Sequence, residues 1–365
     1  MRFPRALFLF LAGFAALSQL CPRGHAQGAL LLQDSDGFSA ALSPTGHSSV
    51  YFARICAASL TQLRRCAPRE LGVVIARHRR IAGYDWLAVP LIPFLYSVEA
   101  ASEVPAKVSR EAVRELRLKY HDEHLMSLGK DVPAGGELLG GWNELVGAAY
   151  ERRIYALRFE TSEEQDDAFI VKMNADVNQS HFSYLFRNCA DFSGAVLDFY
   201  FPHTFKRHIL PDLGMTTPRQ VAYELTRYAR QHPELRFTVM EIPLVPGYHH
   251  SSRLGRSAAA SLIVNGFVIP IAIVSPYTAG AIVADGLVWG RYPLGLGDAQ
   301  ALSPQTIAIL AGSANRDVAE KAQAAEALEA STDREARRLI PPERLAGTAR
   351  FSSEIKNLRC DSNHR

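Results

Sequence analysis

Apolar positions in this chain follow strand and helix periods through the first two thirds and then merge into one long uncharged stretch. Ser49–Cys56 reads as a strand, and Leu71–Ile81, around Val73-Val74-Ile75, as a second. Arg153–Thr161 sets Ile154, Ala156 and Arg158 against Tyr155, Leu157 and Phe159, which is a further strand. Helical spacing governs Ser109–Leu128 through Val113, Leu116 and Tyr120, and Pro218–His232 reads as another helix. A helix from Cys189 runs to about Phe201 and stops at Pro202. Thr161-Ser162-Glu163-Glu164-Gln165 carries capping chemistry for one more. Trp86–Val98 is apolar, but Pro90 and Pro93 exclude an ordinary helix interior, so an edge strand or a pocket wall is expected. Gly135-Gly136 and Gly140-Gly141 bracket a loop, residues 27–45 read as a polar lead-in, and no internal repeat is visible.

Two segments break this pattern. Met1-Arg2-Phe3-Pro4-Arg5 followed by the apolar run Ala6–Leu20 and Gly24-His25-Ala26 reads as an export signal over 1–26, with the mature chain starting at Gln27. Far downstream, Ser257–Ala284 contains no charged residue, and Asp285 alone precedes Arg291. A bilayer needs about 20 apolar residues, so 257–290 reads as a membrane-embedded segment, a bent span or a re-entrant hairpin, with a buried core segment as the competing reading. Residues 291–365 form a polar tail with an Ala/Glu-rich helix near Asp317–Arg338.

Charge is nearly balanced, 40 Lys+Arg against 37 Asp+Glu, and no basic patch interleaved with aromatics speaks for nucleic acid. The export signal changes the reading of the cysteines. Cys21 leaves with the signal, Cys56 and Cys66 are placed for a disulfide in an oxidising compartment, and Cys189 then stands as a free thiol.

Asn188-Cys189-Ala190-Asp191 has the spacing of a capped helix start, with Asn188 as cap and Asp191 at the third helical position. The positive end of a helix favours thiolate, so a lowered Cys189 pKa is expected, and N–H groups at the same turn suit an oxyanion. His47, in Gly46-His47-Ser48-Ser49-Val50-Tyr51, supplies a base for that thiol, and Gly46 would admit a close approach. Folding Ser48–Cys56 against Glu70–Arg80, with the loop centred near Leu63, sets His78 opposite His47 as the group that orients the imidazole; Glu70 and Asp85 are the fallbacks. His121-Asp122-Glu123-His124 has metal-ligand types but no completing set, so a solvated helix face, no metal and no cofactor are expected.

The Gly46–Tyr51 motif, followed far downstream by Tyr184-Leu185-Phe186-Arg187-Asn188-Cys189-Ala190-Asp191-Phe192, resembles the circularly permuted papain-like families, of which lecithin:retinol acyltransferase-like proteins are a branch. The chain is most similar to the periplasmic N-terminal domain of bacterial lipoprotein N-acyltransferases of the Lnb type, over roughly Gln27–Arg253. It departs from them in carrying Ala190-Asp191 after Asn-Cys. The resemblance implies an α+β fold, an antiparallel sheet packed on the Cys189 helix over 27–253, with the membrane segment behind it. It also implies Cys189 as nucleophile and His47 as base; Asn188, Asp191 and Tyr184, beside the nucleophile in sequence, are expected as helix-cap or substrate-binding residues. The expected function is a thiol acyltransferase or hydrolase acting on a lipid or lipoprotein, exported and attached to the inner membrane. A cell-wall peptide amidase and a non-enzymatic envelope scaffold are the alternatives.

Overall fold

The computed structural model describes residues 27–35, 45–79, 81–128, 141–179, 181–207, 212–248, 256–264, 266–288, 292–313 and 315. The export signal, Cys21, the Gly135-Gly136 loop, His249-His250, Cys360 and the tail helix near 317–338 lie outside these residues.

The strands are β1 (Gly28–Gln33), β2 (His47–Phe52), β3 (Ile55–Ser59), β4 (Gln62–Arg65), β5 (Val73–Ala76), β6 (Leu87–Pro90), β7 (Ile154–Phe159), β8 (Thr238–Ile242) and β9 (Gln300–Ala301). Seven of them form one sheet in the order β6-β5-β2-β1-β7-β8-β9, while β3 and β4 form a separate hairpin. Pairing in the large sheet is antiparallel except between β8 and β9, which run parallel. Central β1 is buried along its whole length. A strand covered on both faces has no polar alternation to betray it, and Gly28-Ala29-Leu30-Leu31-Leu32-Gln33 is therefore a strand inside what reads as a polar lead-in.

Helices cover both faces of the sheet. Leu31, Tyr51, Val74 and Ala156 pack in one core with α1 (Leu91–Tyr96), α2 (Arg110–Tyr120) and α3 (Gly141–Leu145). Leu30, Val50, Ile75 and Leu157 point the other way and pack with α4 (Glu163–Ala175), α5 (Cys189–Tyr200) and α6 (Pro218–Gln231). The apolar Trp86–Val98 stretch divides into the edge strand β6 and the short helix α1. Pro93 is tolerated because it sits in the first turn, where its missing N–H has no partner to lose. The expected strand Ser49–Cys56 is likewise divided, because buried Arg54 turns aside to pair with buried Asp166 of α4. Beyond it, Cys56 of β3 is bonded to Cys66, with the Cα atoms 4.9 Å apart.

The uncharged segment corrects the expected fold class. It forms three short helices, α7 (Ala258–Val264), α8 (Val268–Val274) and α9 (Pro276–Val288). No helix among the described residues is long and apolar enough to cross a membrane. Gly266, at φ +75°, interrupts the chain after α7, and Pro276 restarts it after α8. The 13 residues of α9 span about 20 Å at 1.5 Å each, against a hydrocarbon core of about 30 Å. The fold is a mixed α/β arrangement around a seven-stranded sheet, without the expected spanning segment.

Candidate active site at one end of the sheet

Gly46 opens β2 at φ +87°, and a Cβ there would fall 2.4 Å from the carbonyl oxygen of Gln33. Its role is thus to let two backbones close together, not to admit a substrate. His47 follows, paired in register with Gln33 of β1. The pairs Val50–Ile75, Tyr51–Val74 and Phe52–Val73 fix the β2–β5 register, and continuing it past Ala76 sets His78 opposite His47. The two rings stack with centroids 5.3 Å apart and planes 25° apart.

Both imidazoles are buried. Desolvation first, then the positive charge of Arg152, pushes His47 down to about 3. Desolvation first, then His47, pushes His78 to about 3, with Glu144 opposing. Both rings are therefore neutral at pH 7. Glu144 of α3 lies with Oε2 3.7 Å from His47 Nδ1, while Arg152 Nη2 holds the other carboxylate oxygen at 3.2 Å. His47 Nε2 and His78 Nδ1 are buried and have no hydrogen-bond partner among the described residues.

Cys189 is the first residue of α5 and the one unpaired cysteine among the described residues. Asn188 Oδ1 accepts from the N–H groups of Ala190 and Asp191, and its amide donates to the carbonyls of Tyr184 and Thr216. Asp191 Oδ2 accepts in turn from the Asn188 N–H and completes the capping box. Arg77, following β5, donates to the Asn188 carbonyl at 3.3 Å and to Asp85 at 2.7 Å. This clamps the helix start to the sheet. The chain before it is open to solvent: Tyr184, Leu185 and Phe186 are 43, 49 and 64% exposed.

Burial pushes the Cys189 thiol up to about 11, and the Glu144 charge adds to the rise. The Ser48 N–H and hydroxyl and the Ala190 N–H favour the thiolate but do not outweigh it. The expected lowering by the helix end is thus reversed, because desolvation acts on the whole charge while a helix end offers only a partial one. The sulfur lies against Ser48 on the α5 face of the sheet, whereas His47, one residue earlier on β2, points to the opposite face with His78 and Glu144. No thiol–imidazole hydrogen bond is formed, since His47 Nε2 is without a partner and Nδ1 faces Glu144.

Glu144 and Arg152 are the site residues that the sequence does not announce. Glu144 follows a glycine-rich loop in a five-residue helix that has no motif of its own. The fallback carboxylates are engaged elsewhere, Glu70 with Arg64 and Asp85 with Arg77. His121 is not on a solvated face: it is buried edge-on against Trp142, while exposed His124 pairs with Glu99. His47, His78 and Glu144 each offer a donor atom within 4.8 Å of the others, a two-imidazole, one-carboxylate set of the type that holds divalent ions. Comparison of the chain with protein-family models, curated proteins and solved structures returns no match.

Proposed function

We propose that this chain is an exported thiol acyltransferase or hydrolase in which Cys189 is the nucleophile and His47 the base. One observation carries the reading. A free thiol opens a capped helix at the same end of the sheet where a buried imidazole keeps Nε2 uncommitted. A buried polar atom without a partner costs about 1–3 kcal/mol, a cost that a merely structural histidine gains nothing by bearing. Glu144, itself held by Arg152, lies 3.7 Å from His47 Nδ1, the side from which it would orient an imidazolium, and leaves Nε2 as the proton acceptor.

In the proposed reaction the Cys189 sulfur bonds to the acyl carbon, and its proton passes to His47 Nε2. The C–O or C–N bond of the donor then breaks, and His47 returns the proton to the leaving group. Water or an amine takes the acyl group and restores the thiol. Exposed Tyr184, Leu185 and Phe186 beside the nucleophile support an ester or amide of a lipid or lipoprotein as donor. The Cys56–Cys66 bond supports an oxidising compartment. With a thiol near 11 and an imidazole near 3, the described form is a neutral resting pair. His47 leaves β2 on the Glu144 face and the sulfur lies on the Ser48 face, so attack requires the start of β2 to rearrange and carry the imidazole across to Cys189.

A p-nitrophenyl acyl ester tests the proposal. The expected result is a rapid release of nitrophenol with a hydroxylamine-labile acyl adduct on Cys189, seen by intact mass. Cys189→Ala should abolish the adduct, and His47→Gln should slow its formation at least a hundredfold. An adduct retained in Cys189→Ala, or none in the native chain, overturns the assignment.

A further inference from the structure

At the other end of the same sheet the strands leave a small apolar cleft that is open to solvent. Leu31 and Tyr51 form its floor, and Leu91 of α1 one flank. Ile307 and Leu310 of the helix over 304–313 form the roof. Tyr51 lies four residues along β2 from His47, about 13 Å at strand rise, so the cleft is separate from the Cys189 site.

Its one charged lining residue is Arg158, half-buried on β7. Among the described residues no carboxylate pairs with this guanidinium, and the hydrogen bond it makes is to the Met240 thioether, Nη1 to Sδ 3.3 Å. Desolvation holds its pKa below the usual arginine value, with the Tyr51 hydroxyl the polar group that opposes the shift. The fully buried arginines among the described residues each have a carboxylate: Arg54 with Asp166, Arg77 with Asp85, Arg117 with Glu151 and Arg152 with Glu144. Arg158 instead lines an apolar cleft with no carboxylate partner among the described residues.

Small-molecule sites have this make-up, apolar walls with a few orienting polar groups. The planar guanidinium fork matches the two oxygens of a carboxylate. From the unpaired cation and the apolar lining together, we infer that this cleft binds a single-chain carboxylate amphiphile, the alkyl chain between the sheet and the 304–313 helix and the head on Arg158. The inference holds whether or not Cys189 is a nucleophile.

Decanoate, with decanol and acetate as controls, tests it by calorimetry on the full chain. Decanoate should bind at one site at least tenfold more tightly than decanol, and acetate should not bind measurably. Arg158→Leu should cost at least tenfold in decanoate affinity and leave decanol unchanged, while Arg158→Lys should keep part of the preference. Leu310→Trp, at a half-buried roof position where folding is least disturbed, should block both ligands. Equal affinity for decanoate and decanol, binding to decyl phosphate in place of decanoate, or native affinity in a folded Arg158→Leu protein would each overturn the assignment.

Discussion

The Cys189 thiol is the most direct test of how burial and a helix end compete. The structure raises its pKa from 9.0 to about 11, with desolvation the first cause and Glu144 the second. Two units mean about a hundredfold less thiolate at any pH below both values, or about 2.7 kcal/mol of preference for the neutral form. A more basic thiolate is also more nucleophilic, with a Brønsted slope near 0.4–0.5, which restores close to tenfold. The net expectation is reaction with a small disulfide about tenfold slower than a model thiol, before any further slowing by burial. Access scales the whole rate profile, whereas ionisation sets its inflection, so the inflection is the quantity to measure. With Cys21 and Cys360 replaced by serine, the rate should rise with pH without levelling below about pH 10. Glu144→Gln removes the negative charge that adds to the rise of the thiol and should move the inflection down. An inflection at or below about 8.5 in the native chain, the value of a free cysteine, or one unmoved by Glu144→Gln, refutes the reasoning.

Three further outcomes are expected. His47 and His78 are each lowered from 6.5 to about 3, so their contribution to stability is complete above pH 6.5 and is lost as pH falls toward 3. Each costs up to about 1.4 kcal/mol per pH unit across that window, and urea unfolding of His78→Gln should show a shallower acid slope than the native chain. Cys66→Ser opens a loop of sequence separation 10 and should cost about 2–3 kcal/mol in the same assay, while peptide mapping without reduction should recover Cys56 and Cys66 linked. Asn188→Ala removes the cap of α5 together with two carbonyl partners, and should destabilise by at least the ~1–2 kcal/mol of a lost N-cap. Unfolding midpoints equal to the native value would show that the Arg77 clamp alone holds the helix start.

How far the sequence discloses this fold depends on whether each element carries its own signal. The α5 cap is written in Asn188-Cys189-Ala190-Asp191, and His78 faces His47 because β2 and the β-branched run of β5 share a register that counting residues can recover. Signals fail where context decides. Central β1 is apolar on both faces and has no period, and Pro93 breaks a helix only beyond its first turn. The uncharged stretch 257–284 meets the composition of a span but not its continuity, since Gly266 and Pro276 cut it into pieces too short to cross. Glu144 and Arg152 join the site from a short helix and a loop whose placement depends on the whole sheet, so no local pattern could announce them.

The distribution of unsatisfied polar atoms gives the strongest reason to regard this end of the sheet as functional. Gln33 Nε2, His47 Nε2, Ser49 Oγ, His78 Nδ1 and Arg152 Nη1 are all buried without a hydrogen-bond partner among the described residues, while others of the kind, such as Ser97 Oγ, Ser193 Oγ and Gln220 Oε1, are scattered singly through the fold. The former come from the neighbouring strands β1 and β2, the residues following β5 and the loop before β7. Apart from Ser48, the remainder of these strands is largely apolar: Leu30, Leu31, Leu32, Val50, Val73, Val74 and Ile75 are among the most deeply buried residues of the fold. Replacing the polar set by aliphatic residues of similar volume would remove a penalty of about 1–3 kcal/mol per atom. A protein stabilised by only about 5–15 kcal/mol has little room for several such penalties concentrated in one place. Concentration of this kind is what a preorganised polar site requires, because its groups must be held ready for a partner that the resting fold does not supply. A His47→Leu, His78→Leu double variant should therefore be more stable than the native chain at pH 5 and lose the acylation of Cys189. A double variant that is less stable there would show the two histidines to be structural, and would remove the ground for placing the base at His47.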